Sequence, residues 1–242
     1  RFQHKFPMHP QNSPHPCAKI KYGEKVQYAK DSTPTDMTKE QLTYCQQVIG
    51  VFLYYARAID STMLPSIGSI AAHLSTSTWK EIKQKITHFL DYAAMHPKAE
   101  LVYRASGMHL WIHTDASYLT EPKARSRAGG FHYFSSKPNL PIQANDPPPP
   151  HNHPVFVVFK MIVGIMSSTQ ESETGGGYMN AKEGLLIRQA AIEMGHPQGP
   201  TPLQFDNKCA HGILTGEMKQ KASRTMDTVS YTHLTLPTIL LV

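Results

Sequence analysis

Three acids in this 242-residue chain stand where carboxylates can do chemistry. Asp115 closes a stretch in which Met108, Leu110 and Ile112 alternate with His109, Trp111 and His113, the pattern of a strand with two unlike faces. Asp206 closes a shorter strand, Leu203-Gln-Phe-Asp, and Glu173 lies in the first turn of a long helix between the two. If the first and fourth strands pair in parallel, their ends become neighbours and the intervening helix adds a third acid. Three crowded carboxylates repel one another in a low-dielectric site and need cations beside them. Mg²⁺ prefers such oxygen ligands and keeps several of its waters. Two such ions can hold a phosphodiester, one activating water and the other stabilising the leaving oxygen.

Each acid also has an ordinary structural role open to it. Asp115 can cap a turn, Glu173 can favour a helix N-terminus, and Asp206 can cap a following helix. Glu171, two residues before Glu173, is the alternative acid on the same turn. A basic turn with Lys123, Arg125 and Arg127 lies between the first two strands and suits phosphate contacts by charge and position. His151-Asn152-His153 spells the name of a nuclease class, but that class has three separated residues, and no built metal site is expected there.

The elements that must position these groups follow from periodicity and caps. Residues 1–37 form a basic, Pro-rich arm with Lys5, Lys19, Lys21, Lys25 and Lys30. Thr38 with Gln41 and Thr78 with Glu81 have capping-box spacing and open helices to about residues 59 and 96. A shorter helix from about Thr62 to Leu74 carries Pro65 in its first turn, where proline is tolerated. Val48, Phe52, Trp79, Ile82, Ile86 and Phe89 recur at helical spacing and predict a separate core for residues 38–96. Past residue 100 the period becomes that of strands, at 108–113, 129–135 and 155–161. A helix from Ser168 to about Met194 follows, stopped by Gly195-His-Pro. The strand at 203–206 comes next, and another helix is expected from Asn207 onward. The first three strands suit an antiparallel meander, and the strand after the helix suits parallel pairing with the first. The expected fold class is therefore α/β, a mixed sheet with helices preceded by a small helical unit.

Composition narrows the partners. Net charge is +6 with 14 His residues, a surface suited to a polyanion. Three cysteines at distant spacings, Cys17, Cys45 and Cys209, make neither a disulfide framework nor a CxxC zinc site, and a reducing compartment is the default. No apolar run approaches the ~20 residues of a spanning helix, so no membrane partner is expected. The N-terminus, Arg1-Phe-Gln-His, has no starting Met and reads as a cut from a longer chain.

His113-Thr-Asp-Ala-Ser-Tyr-Leu, Lys123-Ala-Arg-Ser-Arg-Ala-Gly-Gly, Ser167-Ser-Thr-Gln-Glu-Ser-Glu and Asp206-Asn207, in that order, resemble the RNase H region of copia-type retrotransposon Pol polyproteins. Gln47-Val-Ile-Gly-Val-Phe-Leu-Tyr-Tyr-Ala-Arg-Ala-Ile-Asp resembles the segment after the reverse-transcriptase palm in the same family. The resemblance covers roughly residues 1–228. It implies an RNase H-like sheet at 100–228, a helical connection segment at 38–99, and Asp115, Glu173 and Asp206 as catalytic, metal-holding residues. It further implies Mg²⁺, two ions, with Mn²⁺ as the alternative, and hydrolysis of RNA in RNA–DNA hybrids during reverse transcription. The partners implied are the hybrid and the rest of the polyprotein, including the polymerase palm. The location implied is intracellular, in a cytoplasmic retroelement particle or the nucleus.

Departures from the family point to a second function, a non-catalytic nucleic-acid-binding remnant. The palm's aspartate pair is absent, and the family's last strand and fourth acid are expected after residue 228. Residues 229–242, with Val229-Ser-Tyr-Thr-His-Leu-Thr-Leu-Pro-Thr, instead resemble translated adapter sequence and are expected to be non-native. Thr174-Gly-Gly-Gly follows Glu173, and three helical glycines cost about 0.8–1 kcal/mol each against Ala. On this reading the helix is weak, replacement of the glycines by Ala raises stability, and cleavage by the chain is weak or absent.

Overall fold

The computed structural model describes residues 2, 4–16, 36–138, 149–207, 212 and 239–241. The expected helix after Asn207, most of the 229–242 tail, and Lys19, Lys21, Lys25 and Lys30 of the arm lie outside the described residues. The chain forms two compact units, one of residues 1–101 with 121–124 and the other of residues 102–120 with 125–242.

The first unit is helical. Its helices are α1 (Lys39–Ala58), α2 (Leu64–His73), entered through a 3-10 turn at Ser61–Met63, and α3 (Trp79–Met95). Both expected capping boxes form. The Thr38 and Thr78 hydroxyls accept from the N–H groups of Gln41 and Glu81, whose side chains accept from the N–H of Thr38 and Thr78 in return. Pro65 sits at the start of α2, where its missing N–H removes no helical bond. The apolar stripes converge: Cys45, Val48, Ile67, Ile70, Ile82, Ile86 and Phe89 are all buried. The Phe52 and Phe89 rings meet edge to face at 4.9 Å. Trp79 and Phe52 are only half-buried.

The second unit is a five-stranded mixed sheet in the order β3-β2-β1-β4-β5, with one long helix. The strands are β1 (His109–Glu121), β2 (Arg125–Ser135), β3 (Phe156–Met161), β4 (Thr201–Phe205) and β5 (Ile239–Leu241); the helix, α4 (Thr169–Glu193), falls between β3 and β4. A turn of three residues joins β1 to β2, a connection that only antiparallel neighbours allow. Its Lys123 and Ala124 both have positive φ, of 61° and 52°, the sign pattern of hairpin turns that match strand twist. β3 returns antiparallel to β2, with Gly129 opposite Phe159. After α4, β4 pairs parallel with β1, placing Ile112 opposite Leu203. These are the directions expected from the sequence. Three residues of the tail, Ile239 to Leu241, also pair in parallel with β4 and extend the sheet at that edge.

β1 is longer than expected. The alternation predicts an end at Asp115, yet the strand runs on to Glu121 because β2 stays beside it. Its ladder with β4 does stop at Thr114 opposite Phe205, so Asp115 and Asp206 each follow the last parallel pair.

The core lies between the sheet and α4. Leu110, Ile112, Phe134 and Leu203 pack on Ala181 and Ala191 of the helix. Ala128, Val158, Ile162 and Met166 form a second cluster with Met179 packed against it. The helix face turned inward is made of small or polar residues: Ser172, Gly176, Gly177, Asn180, Ala181 and Gly184 are all buried. A Cβ on Gly177 would stand 2.4 Å from the Phe205 ring, and one on Gly176 would stand 3.1 Å from the Ala116 Cβ. Both glycines are helical and let the helix approach the sheet this closely. An alanine at 177 would overlap the Phe205 ring, and one at 176 would press on the Ala116 methyl, so these two positions lack the free space that the expected gain in stability needs.

Candidate metal centre

Each acid arrives on a separate element. Asp115 comes from β1, Asp206 from the residue after β4, and Glu173 from the first turn and a half of α4. Their carboxylate oxygens come within 4.8 Å of one another, with Glu173 buried and the two aspartates exposed. Glu173 accepts from the Ala116 backbone N–H, which favours its charged form, but burial and then the charges of Asp115 and Asp206 push its carboxyl up to about 7. Its Oε2 is buried without a hydrogen-bond partner among the described residues. A buried carboxylate oxygen left orphaned beside two more carboxylates is an arrangement that a cation completes.

The geometry also separates the two glutamates. Glu171 is fully buried, and its Oε2 accepts from the backbone N–H and hydroxyl of Ser167 at 2.6 and 2.5 Å. Its own N–H donates to Ser168 Oγ at 3.1 Å, capping α4. Glu171 therefore builds the helix start, while Glu173 faces the other acids.

Two side chains set the depth of α4 against β1, which carries Asp115, and β2. Ser172 Oγ donates to the Ser117 carbonyl at 2.7 Å. The Asn180 amide nitrogen reaches the Thr114 hydroxyl and the Gly129 and Gly176 carbonyls, at 2.8–3.0 Å. This fits only because position 130 has no side chain: a Cβ there would overlap the Asn180 amide at 1.7 Å. Asn180 was missed in the sequence, where a helical asparagine carries no apolar period. The small residues at 176, 177, 181 and 184 were the available signal.

The three expected phosphate contacts separate. Lys123 is exposed at the hairpin turn. Arg125 donates to the Val163 carbonyl at 2.8 Å. Arg127 is buried at 9% exposure with its guanidinium 4.6 Å above the Phe159 ring, so it is built into the sheet. The His151-Asn152-His153 run has a structural role. Asn152 bonds the Arg104 backbone and the Phe134 carbonyl, and His153 Nδ1 lies 2.8 Å from the Val102 N–H. His151 stacks on Tyr133 at 5.1 Å between ring centres. Tyr133 is hydrogen-bonded at 2.9 Å to His113, whose imidazole is shifted toward the neutral form by burial and then by His151.

No protein-family model matches the chain. A comparison with curated proteins also finds no match. Among solved structures, an RNase H1 isolated from compost by a metagenomic approach is similar at 10% identity and a TM-score of 0.38. That alignment covers 55% of this chain and 82% of the other. No helix among the described residues is long and apolar enough to cross a membrane.

Proposed function

We propose that the sheet unit is a metal-dependent endoribonuclease that cuts the RNA strand of RNA–DNA hybrids, and that the chain derives from a copia-type retrotransposon Pol polyprotein. The observation that carries the reading is the meeting of Asp115, Glu173 and Asp206 around an orphaned carboxylate oxygen. The motif order in the sequence supports the family. On this reading the helical unit corresponds to the connection segment, with the polymerase palm and the rest of the polyprotein as partners in a cytoplasmic particle or the nucleus.

The donor set, three carboxylates with no sulfur or imidazole, suits Mg²⁺ and also Mn²⁺. Bound there, divalent ions supply an activated water and neutralise the leaving oxygen. Asp115 and Asp206 are exposed, so their carboxylates are open to solvent and to an incoming phosphodiester. Glu173 accepts from the Ala116 N–H and must lose its proton before it ligates, because burial and then the two aspartates push its carboxyl up to about 7. Lys123 offers a phosphate contact at the hairpin turn. The hybrid is read through backbone shape and 2′-hydroxyls, which needs no base-specific side chains.

The test is cleavage of an end-labelled RNA–DNA hybrid by the full chain with Mg²⁺ or Mn²⁺, against DNA and RNA duplexes. Hybrid-selective cutting that disappears with chelator and in Asp115→Asn supports the nuclease. Hybrid binding without cutting by either metal favours the non-catalytic remnant. The close fit of Gly176 and Gly177 against the sheet supports a helix start that holds Glu173 in place.

A further inference from the structure

We propose that the helical unit carries a groove for single-stranded nucleic acid along the outer face of α3, independent of the acid cluster. α3 has two faces. Ile82, Ile86, Phe89 and Leu90 are buried, while Lys80, Lys83, Gln84 and Thr87 are exposed. The second set recurs at the three- and four-residue spacing of a single helical face.

Two adjoining concavities of about 400 Å³ each lie along that face and share Lys83 and Thr87. The first is lined by Tyr44 and Trp79, the second by Lys80, Gln84 and His88. The N-terminal arm forms a wall: His88 Nε2 donates to the Ser13 carbonyl at 2.9 Å, and His96 Nε2 donates to the Gln11 carbonyl at 3.0 Å. Of the acids lining the two hollows, Asp91 is held by His4 at 2.6 Å, and Glu40 lines the first hollow together with Lys83, while Lys80 lines the second. Lys80 and Lys83 have no ion-pair partner among the described residues.

Cations spaced along a trough beside half-exposed aromatic rings suit a phosphate backbone whose bases stack on the rings. A duplex hides its base faces within its own stack, so a tyrosine and an indole inside a hollow select an unpaired strand. An acidic peptide would engage the lysines and gain little from Trp79.

The sequence has two tryptophans, and Trp111 is buried at 8% exposure with its N–H on the Ser136 carbonyl. Tryptophan quenching therefore reads the groove. The full chain is titrated with oligo-dT, and saturable quenching is expected. Lys80→Glu with Lys83→Glu should weaken binding about tenfold or more and flatten the log–log salt slope by about 1.4, at about 0.7 per phosphate contact. Trp79→Leu, followed by anisotropy of labelled oligo-dT, should lose about tenfold. Lys98→Glu, outside the groove, should change neither. The proposal is overturned by absence of quenching, by unchanged affinity in the double lysine variant with its helix content intact, or by polyglutamate quenching as strongly as oligo-dT.

Discussion

Helices α3 and α4 start alike and pack in opposite ways. Each opens on a hydroxyl cap, Thr78 or Ser168, with a glutamate three residues later. α3 then buries Ile82, Ile86, Phe89 and Leu90, filling space with large side chains. α4 buries Ser172, Glu173, Gly176, Gly177, Asn180 and Gly184, and gains its contact by having almost no side chains to interpose. The first mode gives stability through apolar area. The second brings a backbone and a carboxylate close to β1 and β4, where Asp115 and Asp206 stand. A helix face given over to a site in this way has little apolar pattern left.

The largest effect expected from this contrast is on activity. Glu173→Gln keeps the shape of the side chain, so hybrid cleavage should fall about 10²–10³-fold while the metal-free protein melts no lower than the parent. A lower melting temperature in that variant would mean that Glu173 is a structural acid. Within α3, Phe89→Ala opens a cavity and should cost about 3–5 kcal/mol in chemical denaturation. Within α4 the harmful change runs the other way. Gly177→Ala should cost about 1–3 kcal/mol by overpacking against Phe205, and it should weaken Mn²⁺ binding because Phe205 precedes Asp206.

A pH series sharpens the electrostatic side of the comparison. The folded-state carboxyl of Glu173 is held near 7, above its ordinary value of 4.5, so between these values the native state binds more protons than the unfolded one. Stability of the metal-free protein should therefore decline as pH rises from about 4.5 to about 7 through this group. Saturating Mg²⁺ should reduce that decline, and Glu173→Gln should abolish it. The smallest effect is the mirror image of the Gly177 change. Gly50 of α1 has nothing within 4 Å of where a Cβ would stand, so Gly50→Ala should gain about 0.8–1 kcal/mol. Equal signs at positions 50 and 177 would break the comparison.

The same contrast explains what could be read in the sequence. The stripe from Ile82 to Leu90 repeats at helical period, and its core role was legible without a partner. α4 could be bracketed by Ser168 and Gly195, but its inward face could not be assigned, because glycine and asparagine carry no apolar signal. Its glycines looked like a weakness because propensity is local, whereas their benefit lies in the ring of Phe205 and the methyl group of Ala116. The three acids were legible from their places on the elements. The choice between Glu171 and Glu173 depended on the Ser167 N–H, a contact that spacing leaves open. Arg127 reads as a surface cation until the register of β3 sets Phe159 beneath it. β1 outran its expected end because Ala116, Ser117 and Tyr118 have the composition of a turn, yet β2 runs beside them.

The parallel pairing of β1 with β4 also has a bearing on time. Asp115 and Asp206 are separated by about 90 positions of sequence, and the hairpin and both β3 and α4 lie between them. Contacts at that separation close late, since each carries the loop entropy of everything in between. During synthesis the first aspartate leaves the ribosome many seconds before the second, at about 5–20 residues per second. The hairpin, β3 and α4 can assemble in that interval, but the three-carboxylate cluster cannot. A nascent chain on its own message therefore holds an incomplete cluster until β4 has emerged and docked. Cleavage of the chain anywhere between β1 and β4 would leave each fragment without the full set.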